Sequence, residues 1–183
     1  MSLPVTYNNI LSAAEQISEY AICTPILESP QLNDKLGGRL LLKAESLQLA
    51  GSFKFRGAFN RISRLSEEEK NFGVVAFSSG NHAQGVALAS KILDIPAVIV
   101  MPKDAPQLKI NNTRSFGAEI IFYDRASENR EKISQQLSKE RNATLVPSYD
   151  DPYIIAGQGT VGLEIVSQIN DIGANLDVLI SPC

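Results

Sequence analysis

The chain has few of the residues that most often build metal sites and disulfide frameworks. Its 183 residues include two cysteines, Cys23 and Cys183, and one histidine, His82. Two distant cysteines make no disulfide framework, and with a single histidine they make no zinc site. We therefore expect no metal centre, and a chemistry that needs either no cofactor or an organic one.

Long apolar runs and basic clusters are also missing. No apolar stretch approaches the about 20 residues that a membrane-spanning helix needs, and residues 1–6 lack the pattern of a secretory signal. The formal net charge is −3 and the basic residues are scattered, which provides no patch for nucleic acid or an anionic membrane. These absences predict a cytoplasmic globular protein with neither nucleic acid nor membrane as partner.

The middle of the chain alternates short apolar runs with longer helical patterns. We predict strands at residues 74–77, 97–100, 119–122 and 143–146, and helices at about 83–93, 107–116 and 127–141. Such alternation indicates βαβ units and a parallel sheet, and strands that are apolar throughout are typical of burial on both faces. The sequence therefore predicts an α/β fold, with one four-stranded unit over about 75–148.

Two flanking segments complete the predicted fold. Residues 39–43 and 177–180 are patterned as strands, and residues 53–65 and 154–169 as helices. If the flanks belong together, residues 1–74 and 149–183 form one domain, into which residues 75–148 are inserted as a second.

The first chemical motif is GSFKFRGA at residues 51–58. Gly51 and Ser52 are typical of a turn and a helix start, with Ser52 as the predicted N-cap, and Lys54 then falls in the first helical turn. Because a helix N-terminus disfavours a cation and Arg56 is close by, we expect a lowered pKa for the Lys54 amine. A neutral amine suits a nucleophile or a base; the alternative is a surface lysine at a helix start.

The second motif is SSGNHAQG at residues 78–85, between a predicted strand and a predicted helix. Small hydroxyl residues and glycine expose backbone N–H groups at a helix N-terminus, which is a ready site for a carboxylate or phosphate. The alternative is structural, with Ser79 or Asn81 capping the helix and His82 as an ordinary first-turn residue. A Ser-His-Asp triad would have to use His82, but no G-x-S-x-G elbow presents a serine.

The third motif is GQGTVG at residues 157–162, which matches the G-x-G-x-x-G pattern and has Asp177 twenty residues after Gly157. A dinucleotide-binding loop requires a strand directly before the glycines, whereas residues 149–153 intervene here. We therefore expect glycines that allow close helix packing. A nucleotide-binding domain is the alternative, and it predicts measurable binding of NAD.

Together, the first two motifs resemble the signature pair of the fold-type-II pyridoxal 5′-phosphate (PLP) enzymes, which are tryptophan synthase β-like. The resemblance is closest to serine/threonine dehydratases and eukaryotic-type serine racemases, and four shorter segments support it: TP at 24–25, MPKDAP at 101–106, YDDP at 149–152 and AGQGT at 156–160. The resemblance implies PLP as cofactor and parallel sheets with helices on both faces. Residues 75–148 would be a small domain that closes over the substrate.

The resemblance also implies roles for individual residues. Lys54 would bind PLP covalently, Phe53 would pack beside the cofactor, and Asn81 would hydrogen-bond the phenolic oxygen of its ring. Four loop residues would bind the substrate carboxylate: Ser78, Ser79, Asn81 and His82. Ser79 would also be a second acid or base opposite Lys54, since the racemase branch has serine there and typical threonine dehydratases have alanine.

The implied reaction is a β-elimination. The substrate amine displaces Lys54, whose freed amine removes the Cα proton while the cofactor ring acts as electron sink. Loss of the β-hydroxyl and hydrolysis then give a keto acid and ammonia from serine, threonine or hydroxyaspartate. Ser79 favours a member that is racemase-like or hydroxyaspartate-dehydratase-like. The implied partners are a small amino-acid substrate and, in the full-length form, a second copy in a homodimer.

The family binds the PLP phosphate with glycines directly after a strand that matches residues 177–183, where this sequence ends. The resemblance thus implies a truncated large domain, with the partner of the pyridine nitrogen and any divalent-cation site further along. The alternative left open is an inactive fragment or a non-catalytic binding module of the same fold. Glycines encoded after Cys183 would favour the enzyme, and a stop codon would favour the module.

Overall fold

The computed structural model describes residues 5–181, which form an α/β fold. The helices are α1 (Tyr7–Ile17), α2 (Pro30–Leu36), α3 (Lys54–Ile62), α4 (Glu67–Phe72), α5 (Asn81–Ile92), α6 (Gln107–Ser115), α7 (Arg130–Arg141) and α8 (Pro152–Asp171). The strands are β1 (Ile26–Glu28), β2 (Leu41–Lys43), β3 (Val74–Phe77), β4 (Ala97–Pro102), β5 (Glu119–Tyr123) and β6 (Thr144–Leu145). Residues 1–4 and 182–183 lie outside the described residues. Pro182 and Cys183 belong to the segment that the resemblance places directly before the phosphate-binding glycines.

Four strands form a parallel sheet in the order β5-β4-β3-β6. Val75 of β3 is paired with Val98 on one side and with Leu145 on the other. The four predicted strands and the three helices between them are confirmed, and their ends lie within three residues of the predicted ones. A parallel sheet gathers the loops at its carboxyl edge, and the SSGNHAQG motif follows β3 at that edge.

Helices cover both faces of this sheet. On one face, Val74 and Ala76 belong to the main core with residues of α5. On the other face, Val75 and Val98 pack against Leu137 of α7. Alternate residues of one strand thus enter different cores, which explains why β3 is apolar throughout.

The main core continues from the sheet into helices that flank it in sequence. It includes Phe55 and Phe59 of α3 and Ile154 of α8, together with Val86 of α5. Helix α3 packs against both α5 and α8. One continuous core therefore joins the sheet to the flanks, and the division into two domains stays a prediction.

Of the two predicted flanking strands, one is confirmed and the other does not form. Residues 41–43 form a strand, but it pairs antiparallel with β1, where Leu42 is opposite Leu27. Residues 177–180 pair with no strand within residues 5–181, and Ile180 is 84% exposed. An apolar pattern makes a strand only where a neighbouring strand satisfies its backbone N–H and C=O groups.

The GQGTVG pattern lies inside α8, not in a loop. A Cβ on Gly157 would stand 2.6 Å from the backbone oxygen of Arg56, and a Cβ on Gly57 would stand 2.8 Å from that of Ile154. The expected close helix packing is confirmed. The nucleotide-binding alternative is wrong, because these glycines form no strand-to-helix turn.

The helices give no candidate for a membrane span. Helix α8 is the longest of them at 20 residues. Within residues 5–181, neither it nor any other helix is apolar enough over a sufficient length to cross a bilayer.

Candidate active site

Lys54 is the first residue of α3, and its side chain is half-buried. Its Nζ donates a hydrogen bond to the Ser148 carbonyl oxygen at 3.0 Å and lies 5.1 Å from the centre of the Phe53 ring. Burial lowers the pKa of the Lys54 amine, because removal from water disfavours the charged form. The predicted direction is confirmed, and the cause is burial.

Two expected details of the surroundings of Lys54 are wrong. Ser52 is not the N-cap of α3, since Phe53 takes that position in a helical conformation. The buried Ser52 hydroxyl has no hydrogen-bond partner within residues 5–181. Arg56 does not lower the lysine pKa either: its guanidinium is 1% exposed and pairs with the carboxylates of Glu45 and Glu164.

The loop after β3 leads directly into α5. Gly80 is the N-cap of this helix and makes no side-chain capping bond, while the Ser78 hydroxyl accepts from the Gly80 N–H at 3.1 Å. Neither Ser79 nor Asn81 caps α5, so the purely structural alternative for these two residues is wrong. The first N–H groups of α5 have no side-chain acceptor in the described part of the chain, which suits them to bind an anion.

His82 is 3% exposed and faces the segment that follows β6. Its Nε2 lies 3.1 Å from the Val146 carbonyl oxygen, and because a carbonyl only accepts, Nε2 carries the hydrogen. Burial lowers the His82 pKa to about 4, the bond to Val146 raises it, and the charge of Lys54 lowers it further. The imidazole is therefore neutral at neutral pH. Its Nδ1, which has no partner among residues 5–181, is an acceptor.

The structure brings Lys54 and the start of α5 together. Lys54 and His82 bind carbonyls two residues apart, those of Ser148 and Val146. A Cβ on Gly85 would stand 3.1 Å from the Lys54 carbonyl carbon, so α3 and α5 touch at this point. The two sequence motifs thus lie side by side at the carboxyl edge of the sheet, where α/β proteins bind ligands.

Three groups of this site were missed by the sequence analysis. Two of them are backbone carbonyls: that of Val146 accepts from His82, and that of Ser148 accepts from Lys54. Every residue has a backbone carbonyl, so residue type does not show which one will accept such a bond. Lys109 of α6 donates to Asn81 Oδ1 at 2.6 Å. No sequence signal distinguishes Lys109, because it matters only once α6 is packed beside α5.

An organic cofactor fits this donor set better than a metal ion does. No cluster of three or more histidine, cysteine or acidic side chains that could hold a metal is found within residues 5–181. The Lys54 amine can react with an aldehyde, and the unpartnered buried atoms Ser52 Oγ and His82 Nδ1 are polar groups that a ligand would satisfy. The residues present therefore fit an aldehyde that carries polar groups and an anionic group.

Known proteins match most of the chain. The family model described as pyridoxal-phosphate dependent enzyme matches residues 17–183. L-threo-3-hydroxyaspartate ammonia-lyase of Saccharomyces cerevisiae is 50% identical over 169 residues, covering 92% of this chain and 52% of that protein. Serine racemase of Schizosaccharomyces pombe is 43% identical, with the same coverage of 92% and 52%. The maize serine racemase structure has a TM-score of 0.89 at 40% identity, covering 93% of this chain and 52% of its own. The chain spans about half the length of the curated relatives it matches.

Proposed function

We propose a catalytic function for this chain, which belongs to the pyridoxal-phosphate-dependent enzyme family. Both the family and its fold-type-II α/β architecture are those that the two motifs predicted. The complete protein removes water from a β-hydroxy amino acid such as hydroxyaspartate, serine or threonine, and releases a keto acid and ammonia. The relatives named as L-threo-3-hydroxyaspartate ammonia-lyase and serine racemase support this substrate class.

The observation that carries the proposal is the half-buried amine of Lys54 beside the start of α5. PLP supplies an aldehyde that joins this amine and a ring that draws electrons from the substrate Cα. The Lys54 amine would hold the cofactor and, when free, would take the Cα proton. Both tasks need a neutral amine, and burial favours that form by lowering the Lys54 pKa.

The substrate carboxylate binds where α5 begins. Ser78, Ser79 and Asn81 supply polar groups there, beside backbone N–H groups that have no side-chain partner within residues 5–181. A carboxylate fixed at this point would hold the substrate beside Lys54, because α3 and α5 touch there. His82 shapes the loop by tying α5 to Val146. Phe53 would pack beside the cofactor ring, since its own ring lies next to the Lys54 amine.

Ser79 is the second acid or base, and it gives the protein a racemase activity. Inversion of serine requires a proton donor on the side of Cα opposite Lys54. The Ser79 hydroxyl makes no hydrogen bond with any of the residues that the structure describes, so it is free for this task. The relative named as serine racemase supports the assignment.

Absorbance and product assays on the complete protein test these roles. We expect a visible PLP band that Lys54→Ala removes, and keto acid from L-threo-3-hydroxyaspartate, L-serine or L-threonine. A band that survives Lys54→Ala contradicts the function. Ser79→Ala is expected to abolish racemisation and to spare elimination, and equal loss of both activities would remove Ser79 from its role.

The domain division, the cytoplasmic location and the homodimer are proposals as well. The parallel sheet within residues 74–145 supports a small domain over 75–148, inserted between 1–74 and 149–183. The exposed free thiol of Cys23 supports a reducing compartment. Limited proteolysis, cell fractionation and size-exclusion chromatography of the complete protein test the three in turn.

A further inference from the structure

Lys109 lies in the first turn of α6, which packs beside α5. Its Nζ donates to Asn81 Oδ1 at 2.6 Å. An ammonium group has three donors and no acceptor, so the amide atom that faces it is the oxygen. The NH2 group of Asn81 is therefore turned away from Lys109, and it has no acceptor within residues 5–181.

A second contact fixes the position of α6 along α5. Asn112 Nδ2 donates to Gln84 Oε1 at 2.8 Å. Asn81 and Gln84 are one turn apart on α5, and Lys109 and Asn112 are one turn apart on α6. The two hydrogen bonds therefore join the helices at two points one turn apart. Gln84 is 2% exposed. Its half-buried contact with Asn112 keeps Lys109 in register with Asn81.

The contact of Lys109 with Asn81 lies at the exposed surface, but it is not an ion pair. Asn81 carries no charge, and Lys109 forms no salt bridge in the described part of the chain. Asn81 does not need the lysine as a helix cap, since Gly80 takes the cap position of α5. The contact does fix the orientation of the Asn81 amide, with its oxygen toward Lys109 and its NH2 group on the other side.

We propose that Lys109 is a positioning residue that selects the orientation of the Asn81 amide, so that its NH2 group is presented to the cofactor. The inference rests on the proposed function and on the role that the family resemblance implies for Asn81, which is to hydrogen-bond the phenolic oxygen of PLP. An anionic oxygen accepts hydrogen bonds only. In the reversed amide, NH2 would face the Lys109 ammonium and oxygen would face oxygen, so both contacts would be repulsive.

The visible spectrum of the PLP-loaded complete protein, recorded at one fixed pH, tests this role. A donor at the phenolic oxygen favours the ring-anion form of bound PLP, which absorbs at the longer wavelength. Lys109→Met is expected to lower the ratio of long- to short-wavelength absorbance about threefold to tenfold, the range of one hydrogen bond. Lys109→Arg keeps a charged donor and should restore most of the ratio. Lys103→Met removes an exposed lysine from the preceding loop and should change nothing.

An Asn81→Ala background separates amide orientation from a direct effect of the Lys109 charge. If Lys109 acts through Asn81, Lys109→Met changes the spectrum much less in that background than in the parent. An equal change in both backgrounds, or no change in either, overturns the inference while the Lys54-dependent band stands. Absence of any Lys54-dependent band overturns the proposed function, and the inference with it.

Discussion

Gly157 of α8 and Arg56 of α3 meet backbone to backbone: a Cβ at position 157 would stand 2.6 Å from the Arg56 carbonyl oxygen. Neither atom is the movable end of a side chain, so a larger residue must push the helices apart. The glycine is therefore required by the crossing of two helices. Gly157 does not belong to a flexible or ligand-binding loop.

Gly157→Ala is expected to destabilise the fold by about 1–3 kcal/mol, the usual cost of overpacking, although alanine favours a helix by about 1 kcal/mol. Gly162 is the matched control, because it lies in the same helix and a Cβ there would meet no atom of residues 5–181 within 4 Å. Gly162→Ala should leave stability unchanged or raise it. Urea unfolding measures both variants, and similar free energies of unfolding for the two would contradict the crossing as the reason.

The same helix crossing contains a buried charge. The Arg56 guanidinium is 1% exposed and lies 2.8 Å from Glu45 and 2.6 Å from Glu164. Arg56→Met leaves Glu45 without its arginine and Glu164 with Lys43 alone, and the expected loss is about 3–5 kcal/mol. Arg56→Lys should lose less but still be destabilised, because lysine has no planar fork to bridge two carboxylates.

An exposed ion pair of the same chain provides the control for Arg56. Arg39 pairs with Glu28, and their side chains are 51% and 31% exposed. Arg39→Met is expected to cost at most about 1 kcal/mol. If Arg39→Met and Arg56→Met lowered the free energy of unfolding in urea equally, burial would not explain the contribution of Arg56 to stability.

Local patterns were enough to predict the elements of the sheet and the two halves of the site. The strands from 74 to 146 are apolar runs bounded by helical patterns, and Lys54 and the loop at 78–82 stand out by residue type alone. The apolar runs and the two motifs are each defined by residues that are adjacent in sequence, so they can be recognised without knowledge of the fold.

The parts that sequence reasoning missed depend on distant neighbours. Arg56 is two positions from Lys54, yet on a helix residues i and i+2 point in different directions, so its charge belongs to Glu45 and Glu164 instead. Ser52 does not cap α3 because Phe53 is already helical. The contact from Lys109 to Asn81 exists only through the packing of α6 on α5. No local pattern encodes such contacts.

Lys54 is placed for chemistry at the expense of stability. Since burial lowers its pKa, holding its charge in the fold costs free energy. Lys54→Met keeps the apolar stem without the charge, so the PLP-free variant should unfold at the same urea concentration as the parent or a higher one at pH 7, while covalent PLP binding is lost. A clear loss of stability would contradict a burial cost at this site.

The direction of the pH effect follows from the same lowered pKa. Below the unfolded-state pKa of lysine, about 10.4, the unfolded chain holds the Lys54 proton more tightly than the folded chain does. The contribution of Lys54 to stability therefore increases as pH rises toward that value. Lys54→Met removes this contribution. The difference in free energy of unfolding between parent and variant should shrink as the pH is raised toward about 10.4, and a constant difference would argue against a lowered Lys54 pKa.

His82 predicts a loss of stability in mild acid. Burial, its largest cause, lowers the His82 pKa from 6.5 to about 4. Between these values the unfolded chain binds a proton that the folded chain does not, so the free energy of unfolding falls as the pH falls, by about 3 kcal/mol over the whole window. Carboxylates whose pKa values are lowered by arginine partners, such as Glu28 and Glu119, contribute only below about their usual 4.5.

His82→Gln separates this effect from general acid denaturation. Glutamine can still donate to the Val146 carbonyl oxygen but does not titrate in this range. Urea unfolding at pH 6.5, 5.5 and 4.5 should show a falling free energy for the parent and a much flatter one for the variant. If the free energies of parent and variant fell in parallel with pH, the His82 ring would be gaining its proton in the folded protein. Burial between α5 and Val146 would then not keep the ring neutral.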